Sequence, residues 1–159
     1  MKYAIVYSSI TGNTKKLAEA IKNKVGECYF GKPSDEALEA DIIFIGFWAA
    51  KNSCPADIQE FIEKLSNKKI FLFGTVGYFN TKEYFEEVLN NAKSHVPSSN
   101  TIIGTYMCQG KVSDSWQNKI KEGSPEKYEL IKNNLKESMN HPNEDDIKSL
   151  IMEIDRVSL

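Results

Sequence analysis

Two apolar patterns alternate along the 159-residue chain. Ile42-Ile43-Phe44-Ile45-Gly46-Phe47 and Ile70-Phe71-Leu72-Phe73-Gly74-Thr75 are continuous apolar runs, as expected of parallel strands covered on both faces. Lys2–Tyr7 and Thr101–Met107 read as further strands, and Gly26–Phe30 as a shorter, weaker one suited to a sheet edge. Between them apolar residues recur at helical spacing. Leu17, Ala18, Ile21 and Val25 follow Thr14, and Ile58, Phe61, Ile62 and Leu65 follow Pro55, which suits a first helical position. Tyr84, Phe85, Val88, Leu89 and Ala92 follow Asn80 or Thr81, either of which can cap. Right-handed βαβ crossovers then predict a doubly wound α/β fold with a five-stranded parallel sheet.

After Met107 the alternation stops. Cys108 to Gly123 shows no clear period. Ser124-Pro125 then opens a helix with Tyr128, Ile131, Leu135 and Met139 on one side, and His141-Pro142-Asn143 breaks it. Asn143, with Asp146 three residues on, starts a last helix faced by Ile147, Leu150, Ile151, Ile154 and Val157. One of these helices is needed to cover the sheet; the other is an additional C-terminal helix, placed within about residues 108–140. The length suits one core and no linker interrupts the chain, so residues 1–159 are expected to form a single domain.

Composition narrows the function classes. A formal charge of −2 gives no field to attract nucleic acid. The longest apolar stretch, residues 42–50, is far short of the roughly 20 residues of a membrane span. Met1 leads straight into a strand without a signal segment, so a cytoplasmic protein without membrane or nucleic-acid partners is expected. Cys28, Cys54 and Cys108 are widely spaced and odd in number, which predicts reduced thiols rather than a disulfide framework or zinc site.

The chemistry-bearing stretch is Ser9-Ile10-Thr11-Gly12-Asn13-Thr14, a hydroxyl-rich loop between the first strand and the first helix. The helix N-terminus offers unpaired amides and a positive dipole end, so the loop suits a phosphate monoester. The same residues also suit an ordinary helix cap. Ser/Thr-x-Thr-Gly-x-Thr after the first strand resembles the phosphate loop of the flavodoxins. Gly46-Phe47-Trp48 resembles their segment carrying a ring-flanking Trp, and Gly74-Thr75-Val76-Gly77-Tyr78 their loop with a stacking Tyr.

That resemblance covers roughly two-thirds of the chain and implies the strand order 2-1-3-4-5, flavodoxin's own, with FMN at the switch between strands 1 and 3. It implies cofactor-binding roles for Ser9, Thr11, Gly12, Asn13, Thr14, Phe47, Trp48, Ala49, Gly74, Thr75, Gly77, Tyr78 and Cys108. It also implies an electron carrier serving a redox partner protein, a reductase or other oxidoreductase. The Cys-Gln-Gly-Lys turn and long helical tail are most similar to the small flavodoxin-like proteins that accompany bacterial bilirubin reductase. Near-neutral charge departs from the acidic family pattern, which leaves electrostatic steering of the partner open. The loop Trp48-Ala49-Ala50-Lys51-Asn52 has no glycine, and a left-handed alanine costs about 1 kcal/mol or more. Delivery tending toward two-electron steps is therefore expected.

Other proteins on this type of sheet fit less well. A phospho-receiver domain needs acidic residues where Tyr7-Ser8-Ser9 stands. A low-molecular-weight phosphatase needs a cysteine-to-arginine loop, but the sole arginine is Arg156. A NAD-binding unit needs Gly-x-Gly-x-x-Gly after the first strand. The alternative that stays open is an FMN-dependent NAD(P)H or quinone reductase of flavodoxin-like fold.

Overall fold

The computed structural model of the chain describes residues 2–157 and 159. The strands are β1 (Tyr3–Tyr7), β2 (Tyr29–Gly31), β3 (Ile42–Trp48), β4 (Lys69–Val76) and β5 (Thr101–Gln109). The helices are α1 (Asn13–Val25), α2 (Ala56–Glu63), α3 (Lys82–Lys93), α4 (Asp114–Gly123), α5 (Pro125–Ser138) and α6 (Glu144–Arg156). All strands are parallel in one sheet of order β2-β1-β3-β4-β5, as the flavodoxin resemblance implied.

Side-chain alternation explains the continuous apolar runs. Phe44, Phe71 and Phe73 pack on one face with Leu17 and Ile21 of α1 and Leu150 and Ile154 of α6. Ile43, Ile45, Phe47, Ile70 and Leu72 pack on the other with Ile58 and Phe61 of α2 and Val88 and Leu89 of α3. With both faces buried there is no polar alternation to read. Each such side chain contributes roughly 1.5–3 kcal/mol on burial.

The central strands outrun their apolar cores: β3 continues to Trp48, β4 to Val76 and β5 to Gln109. The ladder admits Thr75 and Gln109 as buried polar residues. The edge strand β2 starts later than its pattern predicts, because Gly26 at φ 82° ends α1 and the chain is still turning there. A 3-10 turn, Asp35–Glu39, connects β2 to β3.

The C-terminal region holds two helices before the covering helix. α6 packs on α1 and β5, opened by a capping box in which Asn143 Oδ1 accepts from the Asp146 amide (3.1 Å) and Asp146 Oδ2 from the Asn143 amide (2.8 Å). His141 Nδ1 lies 2.7 Å from the same carboxylate. The aperiodic stretch after Gln109 contains α4, capped by Ser113 and with no buried residue, so no apolar stripe marks it. α4 packs against α5, whose Ile131 and Leu135 form a small cluster with Val112 and Tyr78.

Candidate functional site

The carboxyl ends of β1, β3, β4 and β5 open at one edge of the sheet, where the order reverses. The Ser8 amide donates to the Gly46 carbonyl (3.0 Å) and prolongs the pairing of β1 with β3 before the loop departs. Gly12 turns the chain into α1 at φ 94°, a left-handed conformation glycine adopts without steric cost. The first turn of α1 carries no acidic residue, so its positive end faces the loop unneutralised. Ser9 Oγ accepts from the amides of Gly12 (3.1 Å) and Lys15 (3.4 Å), while Thr11 and Gly12 are exposed.

Asn13 and Thr14 fasten this loop to its neighbours. Asn13 Nδ2 donates to the Lys111 carbonyl (2.8 Å) and lies 3.3 Å from Thr11 Oγ1. Gly110 makes room for that amide, since a Cβ there would stand 2.7 Å from Asn13 Nδ2. The buried hydroxyls of Thr14 and Thr75 are 3.2 Å apart. Ser9, Thr11, Gly12, Asn13, Thr14 and Thr75 are thus gathered around the N-terminus of α1.

Trp48 pairs with Thr75 in the β3–β4 register, and in-register neighbours on parallel strands project from the same face. That face is the one covered by α1: two residues back, a Cβ on Gly46 would meet the Thr14 methyl at 3.0 Å. The Trp48 indole Nε1 is buried and has no hydrogen-bond partner. Among the described residues only Gln109 Oε1 shares that condition.

The other residues named from the sequence are built into the sheet and its cores. Phe47 is wholly buried in the core against α2 and α3, and Ala49 packs at its margin. Gly74 lies inside the sheet, where a Cβ would come within 3.0 Å of the Phe47 carbonyl and the Met107 sulfur. Cys108 is buried on the α1 and α6 face. Its thiol is pushed well above the usual range, first by burial and then by the charge of Asp146.

Tyr78 joins the cluster under α4 and α5 rather than standing free. Its hydroxyl accepts from Trp116 Nε1, and Lys127 Nζ stands 5.3 Å from its ring centre. Burial raises its phenol pKa, and the Trp116 bond partly offsets this. Gly77 approaches Val112 so closely that a Cβ would lie 2.5 Å from a valine methyl. Gln109 Nε2 donates both to the Gly77 carbonyl (3.3 Å) and to the Asn134 carbonyl of α5 (2.8 Å). Sequence reasoning missed Gln109 and Trp116 as partners of the Tyr78 loop. A glutamine at the end of an apolar strand was the only available signal.

The loop after β3 makes a left-handed turn. Although it has no glycine, Lys51 (φ 48°) and Asn52 (φ 63°) are both left-handed. They form the two-residue turn of a tiny hairpin closed by reciprocal Ala50–Ser53 bonds of 2.7 and 2.9 Å. Tyr84 donates its hydroxyl to Asn52 Oδ1 (2.8 Å) and Asn91 its amide to the Asn52 carbonyl (2.6 Å). These bonds from α3 offset the roughly 1–2 kcal/mol per residue that left-handed backbone costs.

A family model described as a flavodoxin domain matches residues 4–155. The chain belongs to the flavodoxin domain family. It is 35% identical to the flavodoxin-like domain-containing protein BilS of Clostridioides difficile (strain CD3), over 92% of this chain and 90% of that one. It is 32% identical to a BilS of Clostridium symbiosum (strain WAL-14163), over the same shares. A flavoprotein from Lactobacillus acidophilus NCFM, solved in complex with FMN, superposes with a TM-score of 0.54 at 14% identity, over 76% of this chain and 97% of its own. No helix among the described residues is long and apolar enough to cross a membrane.

Proposed function

We propose that this chain binds FMN at the carboxyl edge of the sheet and passes reducing equivalents to a protein partner. The observation that carries the reading is the buried, unpartnered indole N–H of Trp48, on the same sheet face as the Thr14–Thr75 pair and the carboxylate-free N-terminus of α1. A buried donor left unpaired costs about 1–3 kcal/mol, and a phosphate at the α1 N-terminus supplies its acceptor. The donor set fits a phosphate monoester: the amides of Thr11, Asn13 and Thr14, the hydroxyls of Ser9, Thr11 and Thr14, and the Trp48 indole. Hydrogen bonds to a charged phosphate are roughly twice as strong as neutral ones.

The remaining residues orient and shield. Thr75 holds the Thr14 hydroxyl in place, and Asn13 ties the loop to the end of β5 through Lys111. Tyr78, backed by the α4–α5 pair, offers an aromatic face for the isoalloxazine ring. Bound FMN supplies the redox chemistry; the chain supplies binding, orientation and an edge reachable by a partner. The BilS relatives, named as flavodoxin-like domain-containing proteins, support the flavodoxin-type reading.

The test is titration of the purified protein with FMN and with riboflavin, repeated for Thr14→Val. FMN affinity is expected to fall much more than riboflavin affinity, and equal losses would remove the phosphate assignment. Mixing the FMN-loaded protein with NADPH separates carrier from reductase. Direct bleaching of the flavin without a partner would move the function to the reductase class.

A further inference from the structure

Helix α4 buries no residue, so the packing of a core does not account for its side chains. Its start is nevertheless firmly held. Ser113 Oγ accepts from the Trp116 amide (3.3 Å). The preceding Val112 is bonded on both sides, its amide donating to Ser138 Oγ (3.3 Å) and its carbonyl accepting from Gln117 Nε2 (2.8 Å). Trp116 is thereby fixed in the first turn of the helix, 49% accessible. Its indole Nε1–H is donated to the Tyr78 hydroxyl. An indole N–H only donates, so the phenol oxygen is the acceptor.

Residues 109–138 grip the rest of Tyr78 as well. Its ring packs against the apolar cluster of Val112, Ile131 and Leu135, and Lys127 Nζ stands over the ring, 5.3 Å from its centre. Gln109 Nε2 holds the main chain one residue earlier, at the Gly77 carbonyl, and ties it to α5 through the Asn134 carbonyl. Phe79 and Asn80, next in the loop, are exposed. Tyr78 is therefore where an otherwise exposed loop is fastened to α4 and α5. A ring already held in one orientation spares a ligand the ordering cost of a mobile side chain. Aromatic stacking depends on the offset and angle of the two rings, so it responds directly to such placement.

We propose that Trp116 is a positioning residue for the cofactor: through its bond to the Tyr78 hydroxyl, the α4–α5 pair fixes the angle at which the Tyr78 ring stacks on the isoalloxazine. This deepens the FMN reading above and rests on it. Trp116 acts through Tyr78 and touches neither the flavin ring nor the phosphate. FMN and riboflavin carry the same ring, so both depend on Trp116 to the same degree, whereas Thr14 serves the phosphate. The two helices that precede the covering helix α6 thus place the ring rather than cover the sheet.

The test uses the full 15N-labelled chain, whose two tryptophans give two indole N–H signals, assigned through Trp48→Phe and Trp116→Phe. Without cofactor, Tyr78→Phe is expected to shift the Trp116 signal and speed its hydrogen exchange, because the acceptor is gone while the ring remains. An unmoved Trp116 signal would overturn the proposal. FMN and riboflavin are then titrated by flavin fluorescence. Trp116→Phe should weaken both by the same factor, about 2- to 10-fold, the size of one net hydrogen bond, and lessen the quenching of the bound flavin. In a Tyr78→Phe background the same substitution should have little further effect, since the two residues act as one unit. A loss confined to FMN, a loss that persists in full without the Tyr78 hydroxyl, or no loss at all would each refute the positioning role. The wild-type titration separates the two readings. Failure of the wild type to bind FMN removes the function, whereas FMN binding that is indifferent to Trp116→Phe removes only the role of Trp116.

Discussion

Trp48→Phe is expected to move protein stability and cofactor affinity in opposite directions. The substitution keeps a large aromatic ring at the end of β3 and deletes only the indole N–H and part of the bicycle. In the cofactor-free protein that N–H is buried without a partner, so its removal relieves a desolvation cost of about 1–3 kcal/mol. The smaller ring gives up two ring carbons, a loss of about 1 kcal/mol at this half-buried position. The net is a cofactor-free protein no less stable than wild type, and up to about 2 kcal/mol more stable. At this chain length each kcal/mol shifts Tm by roughly 2–4 °C. FMN, by contrast, loses a hydrogen bond to a charged group, about 1.5–3 kcal/mol, which corresponds to a roughly 10- to 150-fold rise in Kd. Riboflavin lacks the phosphate and should bind both proteins equally. Differential scanning fluorimetry without cofactor, together with flavin fluorescence titrations, checks all three numbers. If Trp48→Phe lowers Tm and weakens riboflavin as much as FMN, the indole acts by packing or ring stacking, and the phosphate contact is wrong.

Raised thiol and phenol pKa values make the fold labile to alkali. Burial keeps Cys108 and Tyr106 protonated in the folded chain, whereas the unfolded chain loses these protons above about pH 8.5 and pH 10. Their contribution is complete below those values and is lost as pH rises toward the folded pKa, at up to about 1.4 kcal/mol per pH unit for each group. Urea denaturation between pH 7.5 and 10 should show this decline, shallower in Cys108→Ala; an identical slope would refute the assignment. At the turn after β3, Asn52→Gly should cost about 0.5–1.5 kcal/mol for the lost Tyr84 bond, and Asn52→Ala about 1 kcal/mol more for left-handed backbone. Equal losses in chemical denaturation would argue against the left-handed turn. Asn143→Ala breaks the capping box and should cost about 1–2 kcal/mol, seen as a lower urea midpoint with unchanged m-value.

The sheet was legible because strands buried on both faces leave an uninterrupted apolar mark, as in Ile42–Phe47 and Ile70–Phe73. Caps were legible where side-chain chemistry sets them: Thr81 and the Asn143–Asp146 box occur where their residue types predicted. α4 was not, because a helix without buried residues has no stripe to display. The phosphate-loop residues came together as expected because one turn of chain carries them all. Phe47, chosen for nearness in sequence to the carboxyl edge, alternates into the core under α2 and α3, whereas Cys108 lies in register with Thr75 on the α1 face. At the left-handed turn, Asn52 is a residue type that tolerates this backbone, whereas Lys51 was illegible from local propensity and the bonds that hold the turn come from Tyr84 and Asn91 on α3.

The single side-chain amide of Gln109 has a bearing on how this chain can be shortened. Its two hydrogens serve two masters, the Gly77 carbonyl in the loop after β4 and the Asn134 carbonyl in α5. Excising residues 112–138 to reach a minimal flavodoxin would therefore not remove a detachable ornament. It would strand one buried amide hydrogen, bare the inner side of Tyr78 and open the space that Val112 fills beside Gly77. A trimmed version has to be rewritten on the sheet side as well, beginning at Gln109 and Tyr78. Conversely, transplanting α4 and α5 onto another flavodoxin requires carrying those two residues with them.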